Sequence, residues 1–166
     1  MEHSIGPPAV ASSGHEEVFA YWSSLRQAGH LPRRADIDPW KLKRHLPNIS
    51  LIDVVRGPDG EISYRQRLAG TGLYLVYGRE ITGRALEEVY PGADAAYWRE
   101  QLSKVVDAGR PTVGRHTVTH RPGGACPIVW IRLPLASDGQ SVDMILGYDT
   151  PIGAAMARYA SGIRAA

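Results

Sequence analysis

The sequence predicts an α+β fold: an antiparallel five-stranded sheet with short helices over one face, plus an N-terminal helical extension. Two stretches carry that expectation. Residues 49–68 read as a β-hairpin, two apolar and β-branched runs around the turn Gly57-Pro58-Asp59-Gly60. Residues 112–148 read as a three-stranded meander with Arg121-Pro122-Gly123-Gly124 and Ser137-Asp138-Gly139 as its turns. The segment between them is punctuated by glycines and spaced like short helices.

In chain order, residues 1–12 combine a proline pair with small residues and no apolar period, so they read as a flexible arm. Residues 13–48 form a helical segment expected to pack on the core. Ser13 and Glu16 have capping-box spacing, and Val18, Tyr21, Trp22 and Leu25 fall on one face of a helix that stops near Gly29. A second short helix is expected at Asp38, with Pro39 in its first turn, where the missing N–H costs no bond, and an end before Pro47. The core spans residues 49–150.

Its first strand is Ile49 to Val55 and its second Ile62 to Leu68, in which alternation points Ile62, Tyr64, Gln66 and Leu68 one way and Ser63, Arg65 and Arg67 the other. Short helices follow at Leu73 to Tyr77 and Leu86 to Tyr90, with corners at Gly78 and Gly83. A longer helix starts at Asp94 as N-cap, aligns Trp98, Leu102 and Val105, and ends at Gly109. The meander strands run from Thr112 to His120, Cys126 to Leu135 and Ser141 to Tyr148. Val129, Ile131, Leu133 and Leu135 form one apolar face, and Val142, Met144, Leu146 and Tyr148 another. Residues 151–166 read as a helical tail with Ile152, Met156, Tyr159 and Ile163 on one stripe.

A length of 166 residues with 43% hydrophobic content suits one core. The net charge of +2 is too balanced to imply a nucleic-acid or membrane partner. The basic excess is local: Arg26, Arg33, Arg34, Lys41, Lys43 and Arg44 face only Asp36 and Asp38 between residues 26 and 46. That segment reads either as a solvated connector or as an anion-binding or partner surface. Its one aromatic, Trp40, is expected to anchor its short helix to the core. Cys126 is the single cysteine, so no internal disulfide forms and a reducing compartment fits. No apolar run approaches the ~18 residues of a membrane span, and the Gly6-Pro7-Pro8 start lacks the features of a secretory signal. A soluble, cytoplasmic protein is expected.

Catalytic and metal chemistry find little support. His116 and His120 share a strand face, but four residues at ~3.3 Å each separate them by roughly 13 Å, too far for one metal with bonds near ~2.1 Å. There is no strained nucleophile motif such as Gly-x-Ser-x-Gly, and an enzyme is the least favoured reading. Gln66 is the most suggestive residue. An amide facing an apolar interior must find a partner or suffer ~1–3 kcal/mol of desolvation; that partner is either an internal group or a ligand. Tyr64, Leu68, Tyr74, Tyr77 and Trp130 complete the candidate pocket, unless they are ordinary core.

The run Arg67-Leu68-Ala69-Gly70-Thr71-Gly72, followed by Gly78-Arg79-Glu80-Ile81-Thr82-Gly83-Arg84-Ala85-Leu86, resembles the centre of a PAS domain. Leu31-Pro32-Arg33-Arg34-Ala35-Asp36-Ile37-Asp38-Pro39 and Leu46-Pro47-Asn48 resemble the entry segment of a bacterial PAS subfamily of small, often single-domain proteins. The resemblance covers roughly residues 17–150, and two strands, four short helices and three strands is the PAS order. It implies a non-catalytic sensor or adaptor that binds a small apolar or amphipathic molecule and signals by protein contact; a pure interaction module is the alternative. Flavin photosensors of this fold need a cysteine in the short helices after the second strand, and there is none from Gly70 to Val89. Haem-binding relatives use a histidine on the long helix, where this chain has Tyr97 and Trp98. No flavin, haem or zinc is therefore expected. The expected partners are an unidentified small molecule, a regulatory protein and a second copy of the chain, meeting through one of the terminal helical stripes.

Overall fold

The computed structural model describes residues 12–153. Its five antiparallel strands are β1 (Ile49–Arg56), β2 (Ile62–Ala69), β3 (Thr112–Val118), β4 (Cys126–Leu135) and β5 (Met144–Pro151). They lie in the order β2-β1-β5-β4-β3, so the hairpin and the meander join where β1 meets β5. Helices α2 (Thr71–Tyr77), α3 (Leu86–Val89) and α4 (Ala93–Ala108) separate β2 from β3. That is three helices rather than four. Residues 83–85 instead run along β2: Gln66 N donates to Arg84 O at 2.8 Å, Gly83 N donates to Gln66 O, and Arg65 bridges Ala85. These bonds cover part of an edge strand whose backbone groups would otherwise be open.

Both faces of the sheet are covered. On the inner face α2, α3 and α4 bury Leu73, Val76, Tyr77, Leu86, Trp98 and Leu102 against Ile52, Tyr64, Ile128 and Trp130. On the outer face α1 (Ser13–Ser24) lays Val18, Phe19 and Trp22 on Ile131, Leu133 and Leu135 of β4 and Leu146 of β5. Trp22 Nε1 donates to Pro134 O at 2.9 Å, which satisfies its polar end inside that layer. The apolar stripe of α1 thus packs on its own sheet, with Val18 and Trp22 buried and Tyr21 and Leu25 partly so. The stripe of the C-terminal tail, apart from Ile152, lies outside the described residues.

Several boundaries differ from the sequence expectation for local reasons. Ser12, not Ser13, is the N-cap of α1; its hydroxyl bonds His15 Nδ1 at 2.7 Å rather than a backbone amide. Gly92, not Asp94, caps α4. β3 ends at Val118, before His120, and β5 starts at Met144, so Val142 belongs to the inner core and not to the outer row of Leu146 and Tyr148. Three 3₁₀ turns, Arg34–Asp36, Pro39–Leu42 and Leu46–Asn48, connect α1 to β1. The middle one has the expected start, with the Asp38 carboxylate accepting from Trp40 N at 3.0 Å. Its anchor is Leu42, however, while Trp40 is 79% exposed. At three residues per turn, a side chain two positions before an inward leucine points away from the protein.

His15 links helix and sheet. Its Nε2–H donates to the carbonyl Val129 O at 3.1 Å, and in the neutral ring that leaves Nδ1 as the acceptor from Ser12 Oγ. Burial holds its pKa below the ordinary histidine value, against the opposing pull of the Val129 carbonyl. The unfolded chain then binds the extra proton first, so stability is fully present above the unfolded histidine pKa of ~6.5 and is lost as pH falls below it. Denaturation midpoints measured from pH 7.5 to 5 are expected to fall, and the slope to flatten in His15→Gln. An equal slope in both proteins would show that His15 is not the titrating group.

Candidate functional site

Two regions are candidates for a site: the interior between sheet and helices, and a groove on the outer face.

The interior holds a buried ion pair packed among aromatic rings. Arg132 of β4 and Asp149 of β5 form a fully buried ion pair, with Nη1 at 2.5 Å from Oδ1 and Nη2 at 3.2 Å from Oδ2. Tyr77 OH donates to Asp149 Oδ2 at 2.6 Å, and Asn48 Nδ2 donates to the Asp149 main-chain oxygen at 2.7 Å. The guanidinium lies 4.4 Å from the centre of the Trp98 ring, and Trp98 stacks on Tyr90 and tilts against Trp130. Burial works against the Arg132 charge, but Asp149, Tyr90 and Tyr77 outweigh it and raise the arginine pKa. Burial, then the Asp149 charge, drives the Tyr77 pKa well above the tyrosine range. Arg132 therefore stays charged and Tyr77 stays neutral near neutral pH.

Gln66 points inward as alternation requires and is 4% exposed. Its amide nitrogen is satisfied by the chain itself: Nε2 donates to Leu68 O at 2.9 Å and to Leu51 O at 3.3 Å. Beside it, Tyr64 and Gln66 border a void of only about 10 Å³ with Ile52, Leu86 and Tyr90, too small for anything beyond a single water. Tyr77 and Trp130 sit deeper in the same core. Two other residues of the expected pocket are elsewhere. Tyr74 is 55% exposed, because Leu73, Val76 and Tyr77 set the buried face of α2 and leave it on the other side. Leu68 is 44% exposed on the outer face.

A β-bulge explains Leu68. Leu51 pairs with Leu68 and Ile52 with Gln66, so Arg67 is an extra residue in β2. One extra residue reverses the alternation beyond it. Gln66 keeps the inner face, and Leu68 joins Leu51 on the outer one.

There Leu68 helps to line a groove of about 510 Å³, within the range of small-molecule sites. One wall is the 3₁₀ connector, with Ile37, Pro39, Leu42 and Leu46; the floor is sheet, with Ile49, Leu51, Leu68 and Leu146. The wall approaches the sheet most closely at Gly70: a Cβ there would lie 2.0 Å from Leu46 O and 2.5 Å from Pro47 O, both backbone. The charged residues of the lining are Arg34 and Lys43. Sequence reasoning missed this groove, although the connector's basic excess was a signal for it.

His116 of β3 and His120 just beyond it lie closer together than a straight strand would allow. Because the chain bends after Val118, His116 Nε2 lies 3.2 Å from Asp94 Oδ1 and His120 Nδ1 3.6 Å from Asp94 Oδ2. Both therefore reach one carboxylate. Among the described residues no group of three or more His, Cys, Asp or Glu is arranged to hold a metal ion, and no helix is long and apolar enough to cross a membrane.

Comparison with known proteins agrees with this architecture. Residues 10–149 match the family model described as a PAS domain. Among solved structures, the chain is similar to a light-oxygen-voltage domain studied with a flavin analogue, at 17% identity and a TM-score of 0.50, covering 74% of this chain and 90% of that one. It is also similar to the LOV protein of Rhodobacter sphaeroides, at 14% identity and a TM-score of 0.50, covering 76% and 74%. At these identities the likeness is one of fold. No curated protein matches the chain at a significant level.

Proposed function

This chain belongs to the PAS domain family, and from that premise we propose that it is a non-catalytic, cytoplasmic sensor or adaptor that binds a small apolar or amphipathic molecule and signals through protein contact. The supporting observation is the apolar groove of about 510 Å³ between the connector and the outer face of the sheet. The packed interior directs the ligand reading to that groove and away from the cluster around Gln66. A molecule in the groove touches the connector that carries Trp40, whose 79% exposure presents a large aromatic to solvent. Exposed tryptophans of this kind are frequent anchors of protein interfaces. Occupancy and partner contact would then be coupled through one short segment, without change in the core.

The second reading, an interaction module without ligand, rests on the same packed interior. Native mass spectrometry of the freshly purified chain separates the two, together with thermal melts against a panel of apolar-tailed metabolites. A retained mass, or a saturable rise in melting temperature that Leu68→Asp removes, is expected. Neither a retained mass nor a shift across the panel would leave the ligand-free module standing.

A further inference from the structure

We propose that the outer groove selects single-tailed amphiphiles with an anionic head, the fatty carboxylates being the simplest case, and holds the head with Arg34 and Lys43. This rests on the groove being the ligand site and adds the chemistry of its ligand.

The sequence places six basic residues between positions 26 and 46, and the fold engages half of them in distinct ways. Arg33 is paired with Asp36 at 2.8 Å, which also uses that carboxylate. Arg44 reaches Glu17 at 2.7 Å, and Arg26 lies 5.4 Å from the centre of the Trp22 ring. Asp38, the other acid of the segment, caps the 3₁₀ turn through Trp40 N. Arg34, Lys41 and Lys43 remain. Lys41 is not part of the groove lining; Arg34 and Lys43 line it, and neither has an ion-pair partner among the described residues.

The rest of the lining is apolar apart from Thr71 and contains no acid. Leu42, Ile49, Leu51, Leu68 and Leu146 offer an acyl chain a continuous hydrocarbon wall. The site therefore presents an apolar trough with two uncompensated positive charges. A neutral molecule would leave those charges unanswered, and a cationic one would be repelled by both. A polyanion is less well suited than a single-tailed monoanion, because most of the surface would be wasted on it: apolar area is what removes the ligand from water.

Isothermal titration of the full chain with decanoate, decanol and decylamine, each below its aggregation limit and at two salt concentrations, tests the proposal. Decanoate is expected to bind about tenfold more tightly than decylamine at low salt, the sum of two partly exposed charge contacts, with decanol between them and the spread narrowing at high salt. Arg34→Glu combined with Lys43→Glu, two exposed positions, is expected to reverse the order while circular dichroism and melting temperature stay unchanged. Leu68→Asp is expected to abolish binding of all three.

If decanol and decanoate bind equally and Leu68→Asp removes both, the ligand groove stands and the anionic preference falls. If none of the three binds, both fall. Decanoate binding undiminished in the charge-reversed and Leu68→Asp proteins would place it elsewhere and overturn the proposal.

Discussion

Asp149→Ala is expected to destabilise the protein by about 3–5 kcal/mol, the penalty for leaving one member of a buried ion pair without its counter-charge. Arg132 and Asp149 are both fully enclosed, and Asp149 also takes the hydroxyl of Tyr77. The substitution would strand the guanidinium against Trp98, with the Ile131 carbonyl still accepting from it but no counter-charge, and would remove the acceptor of the Tyr77 hydroxyl. Urea denaturation reads the loss as a lower midpoint. Replacing the pair together, Arg132→Met with Asp149→Leu, is expected to recover much of it, because no uncompensated charge is then buried. A single variant within about 1 kcal/mol of the parent would mean that water reaches the pair and that the packed interior is wrong.

Gly70→Ala is expected to cost about 3 kcal/mol, the upper part of the range for forcing an extra carbon into a packed site. The backbone there has φ −63°, which any residue adopts, so strain in the dihedral is not the cause. The cause is steric. The added carbon would meet Leu46 O at 2.0 Å and Pro47 O at 2.5 Å, and carbonyl oxygens cannot rotate away as a side chain can. The connector has to lift from the sheet, which widens the groove. Loss of stability should therefore be accompanied by altered affinity for any groove ligand. An unchanged denaturation midpoint would refute the close approach of these segments.

Much of this was readable in the chain. The Asp38-Pro39 start of the 3₁₀ turn, the extent of Cys126–Leu135 and the inward direction of Gln66 all follow from signals a few residues long. So does the glycine end of α4, where Gly109 adopts φ 59°. The candidate site was read less well. Tyr64, Gln66, Tyr77 and Trp130 are interior residues, but they form a packed core around an ion pair whose members are 17 positions apart, and nothing local marks Arg132 or Asp149 as partners. Trp40 misled because a large aromatic in a polar segment suggests an anchor, whereas the phase of the turn gave that role to Leu42.

By itself, the sequence determined the five strands, α1, α2 and α4, the main turns, and the PAS family, because alternation, helical spacing and glycine or proline placement act within one element. Only the tertiary structure decided three further things: that α1 closes the outer face, that the interior encloses an ion pair, and that Leu68 leaves the Gln66 side. Each depends on what a distant segment offers. The extra residue Arg67 becomes a bulge only against β1, where Leu51 and Ile52 take Leu68 and Gln66 as partners. A two-residue period cannot announce in advance where the pairing will slip, and that slip, by sending Leu68 to the outer face, helped to form the groove.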